Sequence, residues 1–318
     1  MTARQRLSRL AAGLVLLLLA LPTPTRAAEK LTVILDWFVN PDHAALVVAQ
    51  EKGYFAARGL DVDLVAPADP NDPPKLLAAG KADIAVSYEP QLHLQLEAGL
   101  PLVRIGTLIA TPLVTLTALE DGPIKTIADL KGRKIGYSIG GTDETVLRTM
   151  LAHNGVALGD VTLVNVNFSL LPALLSKQVD AVIGTYRNFE LNQLIIQGHP
   201  GRAFYPEEEG VPPYDELILE TSKAKLGDPG LRPFLDAVEQ ATTFILNHPD
   251  DAWQLFIKHH KDLDDALNRR AWADTLRRFA HRPAALDTVR YARFAAFLKE
   301  GGLIKTIPPL DSYAIEVK

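Results

Sequence analysis

Short apolar runs rich in β-branched residues alternate with helix-spaced segments from residue 31 to residue 205, and this rhythm confines the chain to parallel-dominated α/β sheets flanked by helices. The first run, residues 31–35, is apolar and β-branched enough for a strand buried on both faces. It ends at Asp36-Trp37 and turns directly into a helix. Asn40 stands at the expected N-cap, Pro41 at the first helical position where a missing N–H costs nothing, and Asp42 in the first turn, where the dipole favours an acid. Gly53 closes that helix.

The same pattern gives strands at 60–65, 84–87 and 101–109, with helices at 75–79 and 91–98. A strand at 113–118 leaves this unit, and a second unit follows. Its strands are expected at 134–138, 161–166, 181–184 and 203–205, and its helices at 143–153, 170–176 and 188–197. Residues 216–219 read as a return strand. From residue 229 the strand signal ends, and 231–247, 250–260, 263–280 and 286–300 carry helical spacing. Two α/β lobes, 28–117 with 218–318 and 118–217, joined by two crossings, describe a clamshell with a hinge.

Arg4, Arg6 and Arg9 precede an apolar run at 10–21 and a small-residue stretch ending at Ala27, the layout of a secretory leader over residues 1–27. Its loss removes four arginines and no acid, taking the net charge from −5 to −9 and arguing against nucleic acid as a partner. Cysteine is absent, which excludes thiolate metal sites, thiol nucleophiles and a lipidated cysteine, and a free, unlipidated periplasmic protein is expected.

In open α/β sheets, ligands gather beyond the carboxyl ends of strands. The first lobe places Asp36, Trp37, Asn40, His43, Tyr88 and Glu89 there; the second places Gly140, Gly141, Thr142, Tyr186, Asn188 and Glu190. Trp37, Tyr88 and Tyr186 offer faces for stacking, and Glu190 accepts hydrogen bonds from an amino group or a protonated ring nitrogen, which favours a flat, nitrogen-bearing ligand. The alternative for these rings is lobe core, for Glu190 a solvated helix start, and for His43 a helix surface. Gly140-Gly141-Thr142 opens a helix and frees N–H groups, as phosphate sites do, but Asp143 and Glu144 follow and repel an anion, so the turn reads as a neutral hydrogen-bonding wall. No serine elbow, Walker loop or H-E-x-x-H motif occurs, and neither a catalytic residue nor a metal ligand is expected.

The runs LDWFVNPDHAALVVAQEKGYFAARGLDVDLV, LLAAGKADIAVSYEP, KGRKIGYSIGGTDE and VDAVIGTYRNFELNQL resemble the substrate-binding proteins of ABC importers in the thiamin-pyrimidine synthase-like (NMT1/THI5-like) family, over essentially all of the mature chain. The resemblance implies a type II periplasmic-binding-protein clamshell, no cofactor, a monomer, and as partners a small pyrimidine and a permease with its ATPase. L-D-W-x-x-N-x-x-H and Y-R-N-F-E look most like receptors for formylaminopyrimidine or hydroxymethylpyrimidine. In these the pyrimidine lies between aromatic rings and a glutamate holds its amino edge, which maps to Trp37, Tyr186 and Glu190, with Asn40, His43 and Tyr88 as neighbours. Synthases of the same fold carry a cofactor on lysine and a cysteine-rich segment; here the comparable lysine position falls at about Ser87 and no cysteine exists. Receptors for riboflavin, alkylsulfonates or nitrate share the fold and remain the alternative.

Overall fold

The computed structural model describes residues 28–318; the leader expected over 1–27 lies outside the described residues. The chain opens with β1 (Glu29–Ile34) and a 3-10 turn (Pro41–His43) that runs into α1 (Ala44–Glu51), with Gly53 at φ +69° just beyond. Asn40 caps this start as its spacing predicts: its Oδ1 accepts the Asp42 N–H at 2.8 Å, and its own N–H donates to His43 Nδ1 at 3.3 Å. There follow β2 (Leu60–Val65), α2 (Pro73–Ala78), β3 (Ile84–Ser87), α3 (Glu89–Glu97) and β4 (Leu102–Ile109).

After residues 110–113 the chain enters a second sheet with β5 (Val114–Leu119). Next come β6 (Lys134–Tyr137), α4 (Thr142–His153), β7 (Thr162–Asn165), α5 (Leu170–Leu175), β8 (Ala181–Tyr186), α6 (Glu190–Ile196) and β9 (Gly201–Phe204). Residues 205–216 return it to β10 (Leu217–Ser222), and α7 (Leu231–Asn247), α8 (Pro249–Phe256), α9 (Ala266–Thr275) and α10 (Thr288–Glu300) finish the molecule.

Each sheet has five strands, in the orders β2-β1-β3-β10-β4 and β7-β6-β8-β5-β9. The βαβ units pair in parallel, while the strand next to each crossing runs against its neighbours: β10 is antiparallel to β3 and β4, and β5 to β8 and β9. The sheets are therefore mixed. The first crossing lies ahead of the boundary expected at 117/118, because all of β5 pairs in the second sheet. α1 is buried along most of its length and packs on α7 and α8, with Phe55 stacked on Phe234 at 5.2 Å between centroids. α10 departs from a purely first-lobe tail, since its Phe294 and Leu298 join the core formed by Leu116, Ile135 and Met150 of the second lobe.

A carboxylate ties the two crossings together. Glu216 Oε2, on the returning segment, accepts the N–H of Leu113 at 2.5 Å and of Val114 at 3.1 Å on the outgoing one. Beside it Asp215 pairs with Arg290 of α10 at 2.5 Å and accepts the Thr107 hydroxyl of β4 at 2.7 Å. Both crossings are thus fixed by charge-assisted hydrogen bonds, strong where water is excluded.

Candidate functional site

A cavity lies between the two sheets at the carboxyl ends of their parallel strands. From the first lobe Asp36, Trp37, Asn40, Tyr88 and Pro90 line it; from the second come Val114, Ser138, Ile139, Thr142, Asp143, Gly184, Tyr186 and Glu190, and the returning crossing adds Tyr214 and Glu216.

The floor is built by Asp36. Its Oδ2 accepts the Tyr88 hydroxyl at 2.8 Å and its Oδ1 pairs with His43 Nε2 at 2.8 Å. Because His43 Nδ1 accepts the Asn40 N–H, its proton sits on Nε2 and is donated to Asp36. His43 is completely buried and does not reach the cavity, so the reading of it as a ligand neighbour is corrected: it orients Asp36 from behind.

Aromatic rings make the walls. Trp37 and Tyr186 are partly buried, pack against the first lobe's core and also line the cavity, so core and site are not alternatives for them. Trp37 meets Phe168, from the second lobe, edge-on at 4.5 Å, and Phe38, 54% exposed, lies 4.6 Å from the same ring, so three rings from both lobes meet beside the cavity. The Tyr186 hydroxyl is buried and has no hydrogen-bond partner, which leaves it free for a ligand. Burial first, then nearby acids, raises the Tyr88 and Tyr186 hydroxyls well above their ordinary pKa, so both stay protonated donors.

Four carboxylates face this space, from Asp36, Asp143, Glu190 and Glu216, and no lysine or arginine lines it. Glu190 opens α6 and its Oε2 accepts the Tyr186 N–H at 2.8 Å. Asp143 Oδ2 accepts the N–H groups of Ser138 at 2.9 Å and Ile139 at 2.8 Å. Desolvation outweighs these hydrogen bonds and pushes Asp143, Glu190 and Glu216 each up to about 7. The arrangement suits a flat ligand that donates hydrogen bonds or carries a proton. Arg187, just after β8, pairs with Glu207 at 2.5 Å and lies over the Tyr205 ring, so it does not line the cavity.

Three further expectations change. Asn188 is buried away from the cavity; its Nδ2 donates to Asp42 Oδ1 at 2.7 Å and to Thr275 Oγ1 at 2.8 Å, fastening the lobes. The Gly140 N–H is taken by Asn71 Oδ1 of the opposite lobe at 2.8 Å, and Gly141 faces Leu94, so neither glycine is part of the cavity wall; Thr142 alone of that turn lines it. Glu89 is buried under the crossings, where its Oε2 accepts the Asp215 N–H. The sequence reading missed Ser138, Ile139 and Gly184, which the strand-end rule would have found, and Tyr214 and Glu216, for which it had no signal. Among the described residues no group of three or more His, Asp or Glu could hold a metal ion, and no helix is long and apolar enough to cross a membrane.

Two lobes hinged by two crossings around a buried cavity define a protein of the periplasmic-binding-protein fold, and solved structures agree. The alkanesulfonate-binding protein SsuA from Xanthomonas axonopodis pv. citri superposes with a TM-score of 0.69 at 18% identity, covering 92% of this chain and 98% of that one. The sequence model of the NMT1/THI5-like family matches residues 40–252, and the chain belongs to that family. A Haemophilus influenzae protein described as a thiamine biosynthesis protein is 50% identical over 94% of this chain and 96% of its own. The formylaminopyrimidine-binding protein of Halalkalibacterium halodurans is 35% identical, over 79% of this chain and 76% of its own. A more distant relative, at 25% identity over 77% of this chain and 76% of its own, is a Saccharomyces cerevisiae 4-amino-5-hydroxymethyl-2-methylpyrimidine phosphate synthase.

Proposed function

We propose that this protein is the exported substrate-binding component of an ABC importer, which closes its lobes on an aminopyrimidine precursor of thiamin, formylaminopyrimidine or hydroxymethylpyrimidine, and delivers it to a permease. The observation that carries this reading is the cavity itself: aromatic walls with four carboxylates and no lining cation. An aminopyrimidine matches it, with a face for Trp37 and Tyr186 and an amino group and basic ring nitrogen for Glu190. The identity with the formylaminopyrimidine-binding relative supports the same choice.

The mechanism is a shift of population. A ligand touching Asp36 and Trp37 on one side and Tyr186 and Glu190 on the other stabilises only the state in which both sides are close. Closure also removes water, which strengthens the Glu190 contact. A receptor rather than a synthase is the reading these residues support: no lysine lines the cavity, and Ser87, near where the resemblance puts the synthases' lysine, is buried and bonded to Gln91. A sulfonate or nitrate receptor would need free N–H donors or a cation where this cavity has acids.

The test is a thermal-shift titration of the mature protein with formylaminopyrimidine, hydroxymethylpyrimidine, thiamin, riboflavin and taurine. A ligand at a hundredfold excess over its dissociation constant adds about 2.7 kcal/mol of stability. The reading expects a shift with a free pyrimidine; a shift only with riboflavin or taurine overturns it.

A further inference from the structure

We infer that Asp143 is a built-in anion that makes the cavity reject phosphorylated pyrimidines, so that the receptor takes the free pyrimidine only; this rests on the pyrimidine reading above. The turn at residues 138–142 ahead of the twelve-residue α4 has the layout of an oxyanion cradle, and three of its amides are already used. Those of Ser138 and Ile139 donate to Asp143 Oδ2 at 2.9 and 2.8 Å, and that of Gly140 donates to Asn71. The protein's own carboxylate therefore sits where a phosphate oxygen would be held.

The surroundings make room for that carboxylate. Gly184 faces it with φ +100°, and a Cβ there would come within 2.9 Å of Asp143 Oδ2 and 3.2 Å of Oδ1. Glycine both adopts this backbone conformation and leaves the space empty. Asp143 is 3% exposed and lines the cavity, and with Asp36, Glu190 and Glu216 also facing it, no lysine or arginine lines it to offset a second anion. At this end the Thr142 hydroxyl, 6% exposed, lines the cavity without a partner and is open to a ligand. It suits the hydroxyl or formamido arm of a free pyrimidine. The repulsive element here accomplishes what attraction cannot, because a pyrimidine and its phosphate ester share the same ring.

The experiment is calorimetric titration of the mature protein at about pH 8.5, above the value of about 7 to which burial raises Asp143, with 4-amino-5-hydroxymethyl-2-methylpyrimidine and, separately, with its monophosphate ester. Like charges brought together in a dry site are worth a discrimination of about 100-fold or more in dissociation constant. Wild-type protein is expected to prefer the free compound by that ratio, and Asp143→Asn, which keeps the shape and removes the charge, to narrow it about tenfold. Asp143→Ser, which keeps an acceptor for the two amides, serves if the asparagine variant does not fold, and each variant's affinity for the free pyrimidine reports that it has folded. A purely structural Asp143 would weaken both ligands equally and leave the ratio unchanged, and that result overturns the inference. So does a wild-type protein that binds both compounds within threefold of each other. Wild-type protein that binds neither compound, yet shifts with riboflavin or taurine, instead overturns the pyrimidine reading and the inference with it.

Discussion

Replacing Asn188 with alanine tests whether the lobes are held together as the structure implies. Asn188 follows β8 of the second lobe, and its amide bridges to Asp42 at the start of the first helix and to Thr275 at the end of α9. Thr275 itself donates to the same Asp42 oxygen at 3.0 Å, so three side chains share one buried contact between the lobes. A hydrogen bond to a charged acceptor contributes about 1.5–3 kcal/mol and a neutral one about 1 kcal/mol. Water reaching the freed Asp42 and Thr275 groups offsets part of this, which leaves a loss of about 2 kcal/mol.

Opening that separates the lobes at this contact would break these bonds, so the loss would fall on closure and appear as weaker ligand binding. About 2 kcal/mol corresponds to about a 30-fold higher dissociation constant, carried mainly by faster release. Stopped-flow dissociation with a bound pyrimidine, alongside the melting temperature of the empty protein, measures both sides. Burial pushes Asp42 up to about 6, against hydrogen bonds from Thr275 and Asn188 that lower it, so the effect should be largest above that pH, where the acceptor is ionised. A dissociation constant within twofold of wild type, with an unchanged release rate, refutes the reasoning.

Glu190→Gln should weaken pyrimidine binding by about 1–3 kcal/mol, the scale of a charge-assisted hydrogen bond, and an unchanged calorimetric dissociation constant removes Glu190 from the site. Trp37→Ala should cost a similar amount through lost stacking and apolar area, about 1–3 kcal/mol; retained affinity would make Trp37 packing alone. The empty protein should resist urea better at pH near 6.5 than near 8. Asp143, Glu190 and Glu216, raised to about 7, and Glu220, raised to about 8, bind protons more tightly folded than unfolded, so their contribution is full below the unfolded values and lost as pH rises through the folded ones. Buried His93, lowered from 6.5 to about 4, has the opposite slope but acts only below about 6.5, which is why the comparison stops there. A free energy of unfolding that rises with pH across this window would contradict the burial of these acids.

The elements were legible wherever local chemistry decides them. α7 runs over the residues its spacing predicts, 231–247, because its apolar stripe is also its buried face. Helix ends are less legible. Pro73, Pro74 and Pro90 lie ahead of the helices that the spacing predicts at 75–79 and 91–98, yet all three fall in first turns, where proline has no hydrogen bond to lose, and the helix expected over 263–280 is confined to Ala266–Thr275. In the cavity wall, Asp36, Trp37, Asn40, Tyr88, Thr142, Tyr186 and Glu190 follow strand ends, and the α/β rule finds them without coordinates. Tyr214 and Glu216 sit on the returning crossing, and only the pairing of β10 between β3 and β4 brings them to the cavity. Asn188 and His43 show the other limit: their sequence positions were right for the site, but side-chain direction turned one to the lobe contact and the other to the underside of Asp36.

The acids around the cavity also explain why closure should wait for a ligand. Each unit by which a carboxyl pKa is raised is about 1.4 kcal/mol of penalty on the ionised form, and Asp143, Glu190 and Glu216 all bear such penalties when the lobes enclose them empty. An open cleft rehydrates these groups and relieves the cost. A ligand that donates an amino group and a ring proton would relieve it without opening, so the interactions that would recognise the proposed pyrimidine would also favour the closed state. A ligand that brings only acceptors, such as a sulfonate, adds to the penalty and works against closure. Selectivity and conformational response would then have one physical origin, the uncompensated negative charge of the empty closed cavity.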